Sequence, residues 1–240
     1  MRLEGRVAVI TGASHGLGLA IARELAAEGA TLALIARRGE ALEKAAASFA
    51  ASDKAAAFPA DVSSASEVDA AMRAIVELWG RIDILVLNAG TWQGAPIVDT
   101  DEAMWDRLID LNLKGAFLAL KAAVPWLIAQ RQGTVIGISS LGGWVGQPGS
   151  AAYAASKWGL RGLLESAALE LKPHRVRVSI VSPHNMNSAG REIAPGSEER
   201  DQNLDPSEVA SLVAWICTAP DHVSVGNVTI WPLSAGIRGR

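Results

Sequence analysis

The sequence predicts an α/β fold: one doubly wound parallel sheet of seven strands with helices on both faces. Short β-like runs alternate with longer amphipathic segments along the whole chain. The runs are nearly continuously apolar, as strands are when helices cover both sides of the sheet. The first run leads through a glycine-rich turn into a helical segment. The chain has 240 residues, 50% of them apolar, enough for one large core. No linker or internal repeat divides it, so residues 1–240 read as a single domain.

Taken in order, the first strand is Val7 to Thr11. It enters Thr11-Gly12-Ala13-Ser14-His15-Gly16-Leu17-Gly18, and a helical pattern follows through Glu28. Glycines permit positive φ and remove the Cβ atoms that would hold a backbone away from a pyrophosphate, while a helix N-terminus offers free N–H groups. The spacing Gly-x-x-x-Gly-x-Gly is not the commoner Gly-x-Gly-x-x-Gly, so taken alone the turn keeps a plain strand-to-helix bend as its lesser alternative. A second strand, Thr31 to Ala36, runs into Arg37-Arg38. The alanine-rich tract Ala45-Ala46-Ala47 with Ala50-Ala51 has the propensity of a helix. The third strand, Ala55 to Phe58, is followed by Asp61-Val62-Ser63-Ser64, a good helix N-cap sequence.

The fourth strand, Ile82 to Leu87, ends in Asn88-Ala89-Gly90. An otherwise apolar helix then carries Asn112, and a buried amide in a helix needs a reason. The fifth strand, Thr134 to Ile138, ends in Ser139-Ser140, and a helix headed by Tyr153-Ala-Ala-Ser-Lys157 follows. After the sixth strand, Val176 to Val181, an irregular segment from Pro183 to about Pro206 reads as a loop over a ligand or as a surface excursion. Val228 to Ile230 is the seventh strand.

Composition narrows the function classes. The net charge is −3 and the basic residues are scattered, so neither a nucleic-acid nor a membrane surface is indicated. The chain goes from Met1 almost directly into a strand, with no apolar signal region and no uninterrupted apolar span near twenty residues. A cytoplasmic protein is the expectation. The single cysteine, Cys217, can form no intramolecular disulfide and supplies no metal set; it reads as a packed residue. No metal is expected.

The chemistry concentrates at Tyr153 and Lys157. Four residues apart in a helix, they project from one face. A phenol has a free pKa of about 10, and a neighbouring ammonium lowers it by favouring phenolate, so a tyrosine so paired can shuttle protons.

The glycine turn, Asn88-Ala89-Gly90, Asn112, Ser140 and Tyr153-x-x-x-Lys157, in this order and over nearly the whole chain, resemble the short-chain dehydrogenase/reductase family. The resemblance implies a Rossmann-type fold and hydride transfer between a nicotinamide and a carbonyl or alcohol of a small-molecule substrate, in the manner of a carbonyl or 3-oxoacyl reductase. It makes Asn112, Ser140, Tyr153 and Lys157 the catalytic set. Tyr153 exchanges the proton and Ser140 holds the substrate oxygen. Lys157 lowers the tyrosine pKa and bonds the nicotinamide ribose, and Asn112 anchors a water in a proton relay. Adjacent Ser139 is the competitor for Ser140, and the interval to the tyrosine selects Ser140.

For the cofactor, the resemblance implies contacts from Gly12, Ser14, His15, Gly16, Leu17 and Gly18. It adds Asp61 and Val62, with Asp61 on the adenine amino group, and Asn88, Ala89 and Gly90 near the ribose. Past the second strand, where a carboxylate would bond a ribose 2′-OH, the chain has Arg37, which suits a 2′-phosphate. NADP(H) is therefore the expected cofactor, with NAD(H) open as the alternative.

Two stretches depart from the family pattern. Pro183 is followed by His184 where relatives carry glycine, which adds bulk and removes easy access to positive φ; Ser188 stands where a threonine closes the segment over the nicotinamide. The ending Val228-Thr229-Ile230-Trp231-Pro232-Leu233 is also unusual. Trp92, Trp144 and Met186 suggest an apolar rim for an aromatic or aliphatic ketone. A homotetramer or dimer is expected through helices beginning near Asp101 and Ala151. Two further readings share the fold: an NAD(H)-dependent sugar or steroid dehydrogenase, and a cofactor-sensing regulator. The second has no use for the proton-donor set.

Overall fold

The computed structural model describes residues 1–37, 39–49, 54–187 and 197–234. Seven strands form one sheet: Val7–Thr11 (β1), Thr31–Ala36 (β2), Ala55–Pro59 (β3), Ile84–Leu87 (β4), Gly133–Ile138 (β5), Val176–Pro183 (β6) and Asn227–Ile230 (β7). Their spatial order is β3-β2-β1-β4-β5-β6-β7 and every pair is parallel. The eight α-helices among the described residues are Gly16–Ala27 (α1), Gly39–Ala47 (α2), Ala65–Trp79 (α3), Glu102–Ile109 (α4), Gly115–Gln130 (α5), Ala151–Leu171 (α6), Glu198–Gln202 (α7) and Pro206–Cys217 (α8).

The continuous apolar runs have a direct cause in β1. Val7 and Val9 point into a core shared with Met72 and Ile75 of α3, Leu120 of α5 and Leu164 of α6. Ala8 and Ile10 point into a second core with Ile21 and Leu25 of α1, Leu42 of α2 and Val213 of α8. Both side-chain sets of the strand are buried, so neither can be polar.

Strand ends differ from expectation where a side chain takes over a backbone role. β4 starts at Ile84, not at Ile82, because the Asp83 carboxylate accepts the Val7 amide at 2.9 Å where a strand carbonyl would. Ile82 is still fully buried. At the other side β6 runs on to Pro183, and the His184 amide continues the ladder by donating to the Ile230 carbonyl at 2.9 Å. The N-cap of α3 is Ser64, whose hydroxyl accepts from the Glu67 amide, and Gly80 ends the helix at φ 74°. The expected cap at Asp61 thus falls three residues later, and Asp61 sits in the turn before it.

α4 and α5 are one helical run, Glu102–Gln130, interrupted by a π-helical turn over Asp110–Lys114. It is long and apolar enough to cross a bilayer by length and composition, although Lys114 and Lys121 interrupt its apolar sequence. Here Met104, Leu108, Ala116, Leu120 and Leu127 from this run are buried within the fold. The described residues of the segment after Pro183, 184–187 and 197–206, are less irregular than expected. Met186 bridges to Leu204 in parallel, α7 follows, and α8 starts with Pro206 in its first turn and a capping box between Asp205 and Glu208.

Candidate active site

All seven strands end at the same edge, and the chain order reverses between β1 and β4, the point at which open α/β sheets hold ligands. A cleft of about 680 Å³ opens there, between the glycine turn, Asn88–Trp92, Ser139–Gly142, the head of α6 and Pro183–Met186.

Its floor is made by close backbone approach. Gly12 has φ 67°, and a Cβ on it would lie 2.9 Å from the Ala89 Cα. A Cβ on Gly18 would lie 2.3 Å from the Gly12 carbonyl oxygen. Glycine is therefore required at both places, whether or not a ligand is bound. The turn is held by Thr11, a residue the sequence reading passed over. Its hydroxyl donates to the Val86 carbonyl and accepts from the Asn88 and Ala89 amides at 3.0 Å each. Asn88 adds its side-chain amide to the carbonyls of Thr11 (2.9 Å) and Gly12 (3.3 Å). Asn88 thus binds the turn while it also lines the cleft with Ala89 and Gly90.

At the head of α1, Gly16 has φ 58° and His15 is an extended N-cap whose side chain makes no capping bond; its Nδ1 lies 2.9 Å from the Ser14 hydroxyl. The first-turn N–H groups have no side-chain partner, which leaves them for an anion. Leu17 is buried and anchors the helix. These features fit a dinucleotide pyrophosphate: a cradle that any Cβ would fill, next to an uncapped helix N-terminus.

Arg37 and Asp61 lie outside the residues that line the cleft. Burial pushes the Asp61 carboxyl up, but hydrogen bonds from the Ser63 hydroxyl (2.7 Å) and amide (2.9 Å), with the charge of Arg37, bring it below its ordinary value. Arg37 itself is exposed. Val62 is buried and packs so closely on α5 that a Cβ at Gly115 would come 2.8 Å from its Cγ2. Arg38 and Ser188 fall outside the described residues.

The proposed catalytic residues come from the segment just after β5, from α6 and from the π-helical turn between α4 and α5. Ser140 ends β5 in extended conformation, with its hydroxyl accepting from the Gly142 amide at 3.1 Å. Ser139 is turned the other way, buried, its hydroxyl on the Lys157 carbonyl at 3.4 Å. Burial raises the Tyr153 phenol above its ordinary pKa, and a hydrogen bond with Ser140 opposes the rise. The opposing influence is the Ser140 bond. The Lys157 ammonium lies 5.9 Å from the tyrosine ring centre and donates to the Ile138 carbonyl at 2.9 Å. It is 5% exposed, and burial brings it down from 10.5 to about 8.

Asn112 sits in the π-helical turn, 1% exposed. Its Oδ1 accepts from the Thr91 amide at 2.8 Å, and its Nδ2 donates to the Thr91 carbonyl at 2.9 Å and the Ser156 hydroxyl at 3.0 Å. The widened turn presents the amide inward, a common use of π-bulges. Gly90 lies directly over this pair. A Cβ there would be 3.1 Å from the Asn112 Oδ1 and 3.5 Å from the Lys157 Nζ.

Of the suggested rim residues, Trp92, which is 65% exposed, and Met186 border the cleft. Trp144 does not: its indole N–H bonds the Ser182 hydroxyl at 3.0 Å and the Arg161 guanidinium stacks 3.7 Å above its ring. Pro183 and His184 line the cleft. His184 needs no positive φ. Its ring lies 5.7 Å from that of Trp231, burial lowers its pKa, and its buried Nδ1 has no partner among the described residues.

Comparison with known proteins agrees with this geometry. Residues 6–195 match the family described as short chain dehydrogenase. An uncharacterised oxidoreductase of Staphylococcus epidermidis is 33% identical over 232 residues, 97% of this chain and 99% of the relative. Among solved structures, a metagenomic short-chain oxidoreductase in complex with NADP is 39% identical, with a TM-score of 0.84 over 97% of this chain and 99% of that one. An alcohol dehydrogenase of Thermococcus sibiricus complexed with 5-hydroxy-NADP is 31% identical, with a TM-score of 0.86 over 95% and 97% of the two chains.

Proposed function

The chain belongs to the short chain dehydrogenase family of oxidoreductases, and from that premise we propose that it is an NADP(H)-dependent enzyme interconverting a carbonyl and an alcohol on a small molecule, in the manner of a carbonyl or 3-oxoacyl reductase. The observation that carries this reading is a half-buried phenol hydrogen-bonded to Ser140, with buried Lys157 one turn away, over a glycine cradle shaped for a dinucleotide. When bound, the nicotinamide supplies or accepts the hydride.

The protein residues handle the proton. Burial keeps the Tyr153 phenol protonated at neutral pH, so it is an acid suited to donating to an oxygen that gains charge as a carbonyl is reduced. Ser140 orients that oxygen from the end of β5. Lys157, with its lowered pKa, and the Asn112 frame lie behind the tyrosine and supply a route for its reprotonation. Gly12, Gly16 and Gly18 with the N-terminus of α1 hold the pyrophosphate. Arg37 beside Asp61 supports the NADP preference, as does the NADP bound by the metagenomic relative. We assign homodimer or homotetramer formation to α4, α5 and α6, whose surfaces expose Trp105, Phe117, Trp126 and Trp158.

The test is oxidation of NADPH and of NADH against ketones, aldehydes, diketones and acyl thioesters, with Tyr153→Phe beside wild type. Tyr153→Phe should lower kcat by about 10²–10⁴-fold while NADPH still binds. Arg37→Gln should weaken NADPH and spare NADH. Equal turnover by Tyr153→Phe would defeat the catalytic assignment, and an unchanged preference in Arg37→Gln would defeat the cofactor assignment.

A further inference from the structure

A second cleft, of about 610 Å³, lies at the opposite edge of the sheet, where the strands begin. Its lining brings together five arginines (Arg2, Arg6, Arg131, Arg175 and Arg177) and two carboxylates, Asp83 and Asp221. The chain as a whole carries −3, so this is a local reversal of sign.

The carboxylates offset it only in part, two against five guanidinium groups. Asp83 is shared between Arg6 (3.0 Å) and Arg81 (2.6 Å). Asp221 accepts from the Gln132 amide at 2.9 Å. Arg2 is paired outward with Glu28. The half-buried Arg177 donates to the carbonyls of Cys217, Ala219, Pro220 and Val223 and to the Thr134 hydroxyl, and no carboxylate lies within 4 Å of it among the described residues. Its Nε also donates to the Thr134 hydroxyl at 3.3 Å, so this guanidinium keeps its charge while all three of its nitrogens are bonded within the protein.

Arg131 and Arg175 make the stronger point. They are the two non-glycine residues among those described with positive φ, 50° and 60°. They stand after α5 and after the short turn Lys172–His174, positions that glycine or asparagine fills without strain. A helix C-terminus favours a cation nearby, which would explain their charge. It does not explain arginine in the left-handed backbone itself, since neither side chain bonds a helix carbonyl or a carboxylate among the described residues. Backbone strain maintained at two arginines on one cleft is of the kind found at binding sites.

We infer that this cleft binds a multiply charged oxyanion, phosphate or carboxylate, through the exposed Arg131 and Arg175, with Arg177, whose guanidinium is committed to protein acceptors, adding only its charge. Planar guanidinium groups match both chemistries in bidentate geometry. The inference is independent of the oxidoreductase reading, because the two clefts occupy opposite ends of the strands.

Isothermal titration calorimetry of the full chain at fixed ionic strength tests it, with pyrophosphate and citrate as separate probes and NADPH present to fill the glycine-turn cleft. At least one anion should bind at one site, and which one does so separates phosphate from carboxylate ligands. The double variant R131N/R175G, whose new residues suit the left-handed backbone, should fold with a Tm at or above that of wild type. It should bind the anion about tenfold or more weakly. Binding of neither anion, or the same affinity in the double variant, would overturn the assignment.

Discussion

At the residue scale, Lys157 shows how burial and chemistry meet. Its ammonium has one carbonyl for company, and burial lowers its pKa from 10.5 to about 8. The unfolded chain therefore binds more protons at this site than the folded chain between about pH 8 and 10.5, and stability contributed here rises with pH across that window. Lys157→Met should abolish the rise. Urea unfolding of both proteins at pH 7.5 and 9.5 would check it, the wild type gaining up to about 2 kcal/mol relative to the variant. The upper pH stays below 10 because the raised Tyr153 pKa acts with the opposite sign above it. No relative gain would mean that the ammonium is better solvated than its burial implies. Tyr153 and Lys157 were legible from sequence as a pair, whereas the balance of forces on the phenol was not. A spacing of four residues places two side chains on one helix face but says nothing of the water excluded from between them.

At the element scale, the start of the sheet depends on a side chain acting as backbone. Asp83 takes the Val7 amide and two guanidinium groups, joining β1 to the entry of β4. Burial alone would raise its pKa, but the bonds from Arg81, Val7 and Arg6 outweigh it and hold the carboxyl below its ordinary value. Its stabilisation is therefore present above the unfolded-state pKa of about 3.9 and is lost as pH falls through the lower folded value. Asp83→Asn should cost about 2–3 kcal/mol at pH 7 by urea unfolding. The difference from wild type should narrow below about pH 4. A cost that is independent of pH would point to shape instead of charge. The π-helical turn at Asn112 belongs to the same scale. The sequence marked a buried amide in an apolar helix, yet the widened turn that aims it at Thr91 and Ser156 arises only once α4, α5 and α6 are packed.

For the whole molecule, the eight tryptophans divide by position. Trp79 packs edge-on against Phe58, with ring centres 5.8 Å apart, and belongs to the core margin. Trp105, Trp126, Trp158 and Trp215 are 41%, 38%, 49% and 56% exposed, too much apolar surface for helices facing only water. Light scattering after size exclusion should therefore report a dimer or tetramer of the 25.1 kDa chain. Trp126→Glu with Trp158→Glu should shift it toward monomer, and a wild-type monomer would overturn this reading of α4, α5 and α6.

The sequence by itself determined the sheet, its parallel sense, the glycine turn and the shared helix face of Tyr153 and Lys157. These follow from local properties, namely two-sided burial of strands, the conformational freedom of glycine and the repeat of a helix. Only the tertiary structure decided that Thr11 locks the turn, that Trp144 serves packing with Arg161 and not the cleft rim, and that His184 fits where glycine was expected because β7 receives its amide. It alone gathered Arg131, Arg175 and Arg177 at one edge. Such arrangements depend on distances between residues far apart in the chain, and those distances are set by the packing of the whole fold.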